Sequence, residues 1–147
     1  MKIGVLTGGG DVPGLNAAIR AVARRAFEYD YEVMGIKNGW AGLIGGDMEP
    51  FGLKSVSGIL HVGGTILGTS RSNPLKNQGD FDRCLENFRK FGLDALVAIG
   101  GDDTLGVAAA FFQAGVPVVG VPKTMDNDVV GTDYCIGFNT AVTVVAE

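Results

Sequence analysis

Two segments gather carboxylates, hydroxyls, a lysine and a glycine turn within a short span of sequence. Residues 98–104 read Ala-Ile-Gly-Gly-Asp-Asp-Thr, and residues 121–128 read Val-Pro-Lys-Thr-Met-Asp-Asn-Asp. Between them they carry the carboxylates of Asp102, Asp103, Asp126 and Asp128, the ammonium of Lys123 and the hydroxyls of Thr104 and Thr124. Each segment follows a short apolar run (95–99 and 116–121) with the character of a buried strand. Open α/β sheets bind ligands beyond the carboxyl ends of their strands, so both loops are expected at one edge. Gly100-Gly101 lets backbone approach an anion closely. A carboxylate there can hold a divalent cation, and an Asp in the neighbouring loop can take the proton of an attacking hydroxyl.

The elements that must position these groups alternate. Ile3–Leu6 reads as a strand, 13–28 as a helix with Leu15, Ala18, Ile19, Val22, Ala23, Ala26 and Phe27 at helical spacing, and 32–37 as a second strand. Phe81–Phe91 reads as an amphipathic helix closed by Gly92, Ala95–Ile99 as a strand, Leu105–Ala114 as a helix stopped by Gly115, and Val116–Val121 as a strand. Phe138–Ala146 reads as a final helical stretch. Such alternation predicts an α/β fold: a doubly wound, largely parallel, Rossmann-like sheet with helices on both faces. Residues 38–78 are less regular and are expected to hold short elements and site loops.

Bulk properties narrow the function. The 147 residues amount to one domain, with 46% hydrophobic and 19% charged residues. The 24 glycines are more than twice the usual share of roughly 7%. They cluster at strand-to-loop junctions, so they serve turns and ligand approach. A net charge of −4 argues against a nucleic-acid footprint. No apolar stretch reaches the ~18 residues of a membrane span. The start, Met1-Lys2 running straight into a strand, has no signal-peptide pattern and points to the cytoplasm. Cys84 and Cys135 match no metal spacing and are expected as reduced thiols. His61, the sole histidine, is expected in a packing or surface role.

Two further glycine loops add phosphate-binding capacity. Thr7-Gly-Gly-Gly-Asp-Val-Pro-Gly14 joins strand to helix, where backbone amides and the helix dipole attract phosphate. It matches neither the dinucleotide fingerprint nor the Walker pattern, and Asp11 could instead cap the helix or the turn. Gly63-Gly-Thr-Ile-Leu-Gly-Thr-Ser-Arg71 ends in a guanidinium whose fork of donors suits phosphate.

Taken in order, Gly-Gly-Asp-x-Pro-Gly-x-Asn-Ala-Ala-Ile-Arg (9–20), residues 63–71, Gly-Gly-Asp-x-Thr-Leu (100–105) and Pro-x-Thr-x-Asp-Asn-Asp (122–128) resemble the 6-phosphofructokinases over essentially the whole chain. The resemblance implies Asp126 as the general base for the 1-hydroxyl of fructose 6-phosphate, and Thr124 as a ligand of substrate or transferring phosphoryl group. It implies Asp102 as the Mg²⁺ ligand with Asp128 as a helper, and Gly10, Arg71, Asp102, Asp103 and Thr104 as the donor-binding set. Asp103 and Lys123 stand where ATP-using members often carry glycine, and so resemble the pyrophosphate-dependent branch. Asp103 would crowd and repel a nucleotide's α-phosphate, while Lys123 would neutralise charge on a small donor and assist transfer. The resemblance also implies a homodimer or homotetramer. Residues 1–147 would form the donor-binding part of the fold, its sugar-phosphate-binding region lying beyond Glu147.

Three other readings stay open on the residues: ATP as donor, a nucleotide-cofactor or diacylglycerol kinase that shares the 100–104 turn, and a non-catalytic fragment or binding module. An Asx-type turn is the structural alternative for Asp126-Asn127-Asp128.

Overall fold

Strands rich in Val, Ile and Leu with little polar alternation must be covered on both faces, and the computed structural model, which describes residues 1–147, has that architecture. The elements run β1 (Lys2–Thr7), α1 (Leu15–Glu28), β2 (Glu32–Ile36), α2 (Trp40–Gly45), β3 (Met48–Phe51), α3 (Asp80–Lys90), β4 (Ala95–Gly100), α4 (Asp102–Gln113), β5 (Val118–Pro122) and α5 (Phe138–Ala146). The five-stranded sheet has the order β3-β2-β1-β4-β5. β1, β2, β4 and β5 pair in parallel, and β3 runs antiparallel on the β2 edge. Strand order reverses between β1 and β4, which opens a crevice at their carboxyl ends.

Successive strand residues feed opposite cores. Val5, Val33 and Ile99 pack with Leu15, Ile19 and Ala23 of α1. Leu6, Ile36, Leu96 and Ala98 pack with Trp40 and Leu43 of α2, Cys84 of α3, and Val107 and Phe111 of α4. Each such fully buried Leu or Ile contributes roughly 1.5–3 kcal/mol. No helix is long and apolar enough to cross a membrane.

Element boundaries depart from expectation where local polar groups intervene. α1 begins at Leu15, not Pro13, because Gly14 adopts a left-handed conformation with φ 99° at the cap. α4 begins three residues early, at Asp102: Gly101 turns the chain directly into a helix whose first turn holds Asp102 and Asp103, and carboxylates there complement the helix dipole. β5 starts at Val118 because the Val116 amide is spent on the Phe111 carbonyl at the end of α4, 3.0 Å away. Residues 38–78 contain two short elements, α2 and β3. Gly42 is obligatory there, since a Cβ would run into the Lys37 carbonyl oxygen.

Candidate active site

The parallel ladder delivers three loops side by side. Thr7 pairs with Ile99 and Gly100 with Pro122, so β1, β4 and β5 end level with one another. The ladder continues into the loops through Gly8 N–H to Ile99 O (2.9 Å) and Lys123 N–H to Gly100 O (3.0 Å). Thr104, 4% exposed, fills the space that Gly8 and Gly100 leave by lacking side chains. It joins the two glycine turns as a packed wedge and offers a ligand little surface.

Segment 62–71 is fastened onto the first turn by side chains from several elements. The Thr7 hydroxyl donates to Gly68 O at 2.8 Å, so the 2.9 Å contact between the Thr7 and Thr65 hydroxyls uses the proton of Thr65. Asn16, 2% exposed, donates from Nδ2 to Val62 O (3.1 Å) and Gly63 O (3.3 Å) and accepts from Ile66 N–H (2.7 Å). Thr69 Oγ1 donates to Gly9 O at 2.5 Å, and Gly9 N–H donates to Ser70 O at 3.0 Å. Thr7 and Asn16 stood in the sequence only as motif positions, with no role assigned. Their signal was polarity at the end of a buried strand and between Leu15 and Ile19 on an apolar helix face.

Lys123 departs from expectation in being buried. It is only 2% exposed, and its Nζ donates to Gly10 O at 2.6 Å. Burial lowers its pKa below the usual lysine value, and the nearby Asp11 carboxylate opposes that shift. The ammonium lies 3.3 Å from where a Cβ of Gly9 would stand. A positive charge therefore sits against the Gly9-Gly10 turn from within, joining the β5 loop to the β1 loop across β4. Thr69 and Lys123 occupy the carbonyls of Gly9 and Gly10, whereas the Gly10 N–H donates to no protein group. That leaves an amide available to an anion beside a buried cation. Asp11 makes no capping hydrogen bond to α1.

Asp102 and Asp103 stand exposed on the first turn of α4. Asp103 faces Lys76 at 3.9 Å, an exposed pair that adds little to stability but places a cation beside the carboxylate. Arg71 is exposed and takes part in none of the ion pairs. Lys123 and Ile136 form a parallel bridge that closes the base of the next loop. Within that loop the Asp126 N–H donates to Thr124 Oγ1 at 3.2 Å, and the Asp126 and Asp128 side chains are exposed. No three His, Cys, Asp or Glu residues converge as a metal cage. The carboxylates instead suit a cation such as Mg²⁺, which keeps waters and takes phosphate oxygens as ligands. The site is an open polar ledge. A groove of about 450 Å³ lies between α4 and β5, is lined by residues such as Leu105, Phe112 and Val118, and contains no titratable group.

His61 is exposed, and Cys84 and Cys135 are free and buried. Burial, with a smaller contribution from Asp80, pushes the Cys84 thiol up to about 12 from 9.0. Its proton is held more tightly folded than unfolded, so this contribution is complete below pH 9.0 and is lost as pH rises toward about 12. Urea unfolding between pH 8 and 11 is expected to give Cys84→Ala a shallower alkaline decline than the wild type. Parallel declines would show that other groups govern the alkaline limb.

Comparison with known proteins places the chain in a family. A family-wide sequence profile described as "Phosphofructokinase" matches residues 2–147. The chain is 58% identical over 147 residues to a pyrophosphate–fructose 6-phosphate 1-phosphotransferase of Dictyoglomus thermophilum, covering 100% of this chain and 42% of that protein. It is 50% identical over 147 residues to an ATP-dependent 6-phosphofructokinase of Oceanobacillus iheyensis, covering 99% of this chain and 46% of that one. Its fold superposes on Saccharomyces cerevisiae phosphofructokinase with a TM-score of 0.86 at 31% identity, over 98% of this chain and 23% of that one.

Proposed function

Since the chain belongs to the phosphofructokinase family, and spans under half the length of the curated relatives it matches, we propose that its site serves transfer of a phosphoryl group from pyrophosphate to the 1-hydroxyl of fructose 6-phosphate. The reaction forms a bond between O1 of the sugar and phosphorus, breaks the bridging P–O bond and releases phosphate. Asp126 takes the proton of the attacking hydroxyl, and its exposure on the loop after β5 leaves it free to meet substrate. Thr124 lies beside it to bind the substrate or the transferring group. The free Gly10 amide and Arg71 receive the donor. Mg²⁺, held by Asp102 with Asp128 as helper, would neutralise charge on the phosphoryl oxygens. Lys123 adds its charge from behind the turn, acting through the position and potential of Gly9-Gly10.

Donor choice rests on Asp103. At the second residue of α4 its carboxylate stands exposed where a longer polyphosphate would extend, adding bulk and like charge against an α-phosphate. The 50% identity to an ATP-dependent relative favours ATP as the second reading. We place the enzyme in the cytoplasm as a homodimer or homotetramer, as the family resemblance implies. A coupled assay with fructose 6-phosphate and Mg²⁺, run on an enzyme that includes the sugar-phosphate-binding region the resemblance implies, is expected to show turnover with pyrophosphate and none with ATP. Equal rates with both donors would replace the first reading with the second.

A further inference from the structure

Asp126 and Asp128 are exposed on one loop, yet a general base must be held to a fraction of an ångström. The residue between them supplies the restraint. Asn127 adopts a left-handed backbone conformation, φ 54°, which Asn tolerates better than most residues. Its side chain reaches across the loop: Nδ2 donates to Asp133 O at 3.1 Å, and Oδ1 accepts the Cys135 N–H at 2.8 Å. Cys135 is 4% exposed, so its amide has little recourse to water if that acceptor is lost. Ile136 N–H donates to Pro122 O at 3.2 Å next to the Lys123–Ile136 bridge. The loop is therefore closed at its base by backbone and across its middle by one side-chain amide.

We propose that Asn127 is a positioning residue for the reaction: its amide clamps the 124–136 loop, and its left-handed backbone turns Asp126 and Asp128 outward on either side of the clamp. This rests on the reading of Asp126 as the base. The Asx-type turn and the catalytic reading of Asp126-Asn127-Asp128 are then one device, in which the middle residue folds the loop and its neighbours do the chemistry.

Asn127→Gly keeps the positive φ at no steric cost and removes the side-chain clamp, leaving the loop backbone freer. Misplacing a reacting group by about 1 Å can cost on the order of 10²-fold, so kcat is expected to fall by about that factor. KM for pyrophosphate is expected to stay within about 3-fold, since Gly10, Arg71, Asp102 and Asp103 lie on other segments. Hydrogen exchange in peptides spanning 127–136 should accelerate while β4 stays protected. Turnover of Asn127→Gly near the wild-type rate, in a preparation where Asp126→Asn is inactive, would overturn the proposal. Should Asp126→Asn itself remain active, the base assignment fails instead, and the exchange measurement decides the clamp. Unchanged exchange at Cys135 in Asn127→Gly would then overturn it.

Discussion

Asp126→Asn is expected to lower kcat by about 10²–10⁴-fold, the usual contribution of a positioned general base. Asparagine matches aspartate in size and can still receive a hydrogen bond, but it cannot take up the hydroxyl proton. The backbone contact from the Asp126 N–H to Thr124 Oγ1 does not involve the carboxylate, so the loop keeps its shape. The effect should fall on kcat, with KM for fructose 6-phosphate changing little, because the exposed carboxylate holds no other element in place. Steady-state kinetics separate the outcomes. A fall in kcat with KM nearly unchanged supports the assignment. Near-normal turnover would transfer the role to another group, with Asp128 the nearest carboxylate in sequence.

Asp103→Gly is expected to shift donor preference toward ATP. Removing the carboxylate from the first turn of α4 relieves bulk and negative charge where an α-phosphate would run, while Gly10, Asp102 and Lys123 keep their places. Like-charge contacts that become desolvated on binding cost several kcal/mol, and each 1.4 kcal/mol is tenfold. The ratio of kcat/KM for ATP over pyrophosphate should therefore rise by about 10–10²-fold, the lower figure reflecting how exposed Asp103 is. The variant also frees Lys76 from its 3.9 Å partner. Asp103→Asn serves as the control that keeps bulk and removes charge. If neither variant changes the ratio, donor choice lies outside this turn.

What could be foreseen from sequence follows from the range of the forces involved. Ile3–Leu6 and Ala95–Ile99 are buried on both faces, so their apolar runs marked them as strands of a parallel sheet without reference to any other segment. Gly92 and Gly115 sit at helix ends with φ 66° and 89°, as their position after apolar periodicity suggested. The start of α4 was less legible because Asp102 and Asp103 look like loop residues until the dipole of the helix they begin is considered. β3 was hidden by its length and by Pro50, which an edge strand tolerates. Lys123 was read as a group facing ligand because lysine is rarely buried. Only the tertiary arrangement, with Gly10 O and Asp11 beside it, makes a buried ammonium acceptable. The same limit concealed Asn16, whose partners lie 46–50 residues away in sequence.

The packing of α2 against α4 has an optical consequence. Trp40 is the only tryptophan in the chain. It is 1% exposed, its indole N–H has no partner, and its ring lies flat on Phe111 with centroids 5.1 Å apart and planes 1° from parallel. A buried indole emits at short wavelength, and its intensity depends on the ring stacked against it. Phe111 belongs to the helix whose first turn bears Asp102 and Asp103, so any tilt of α4 on meeting a charged ligand must slide one ring over the other. The chain thus carries a built-in fluorophore, and titrating unlabelled protein with pyrophosphate while following ultraviolet emission would report that movement directly.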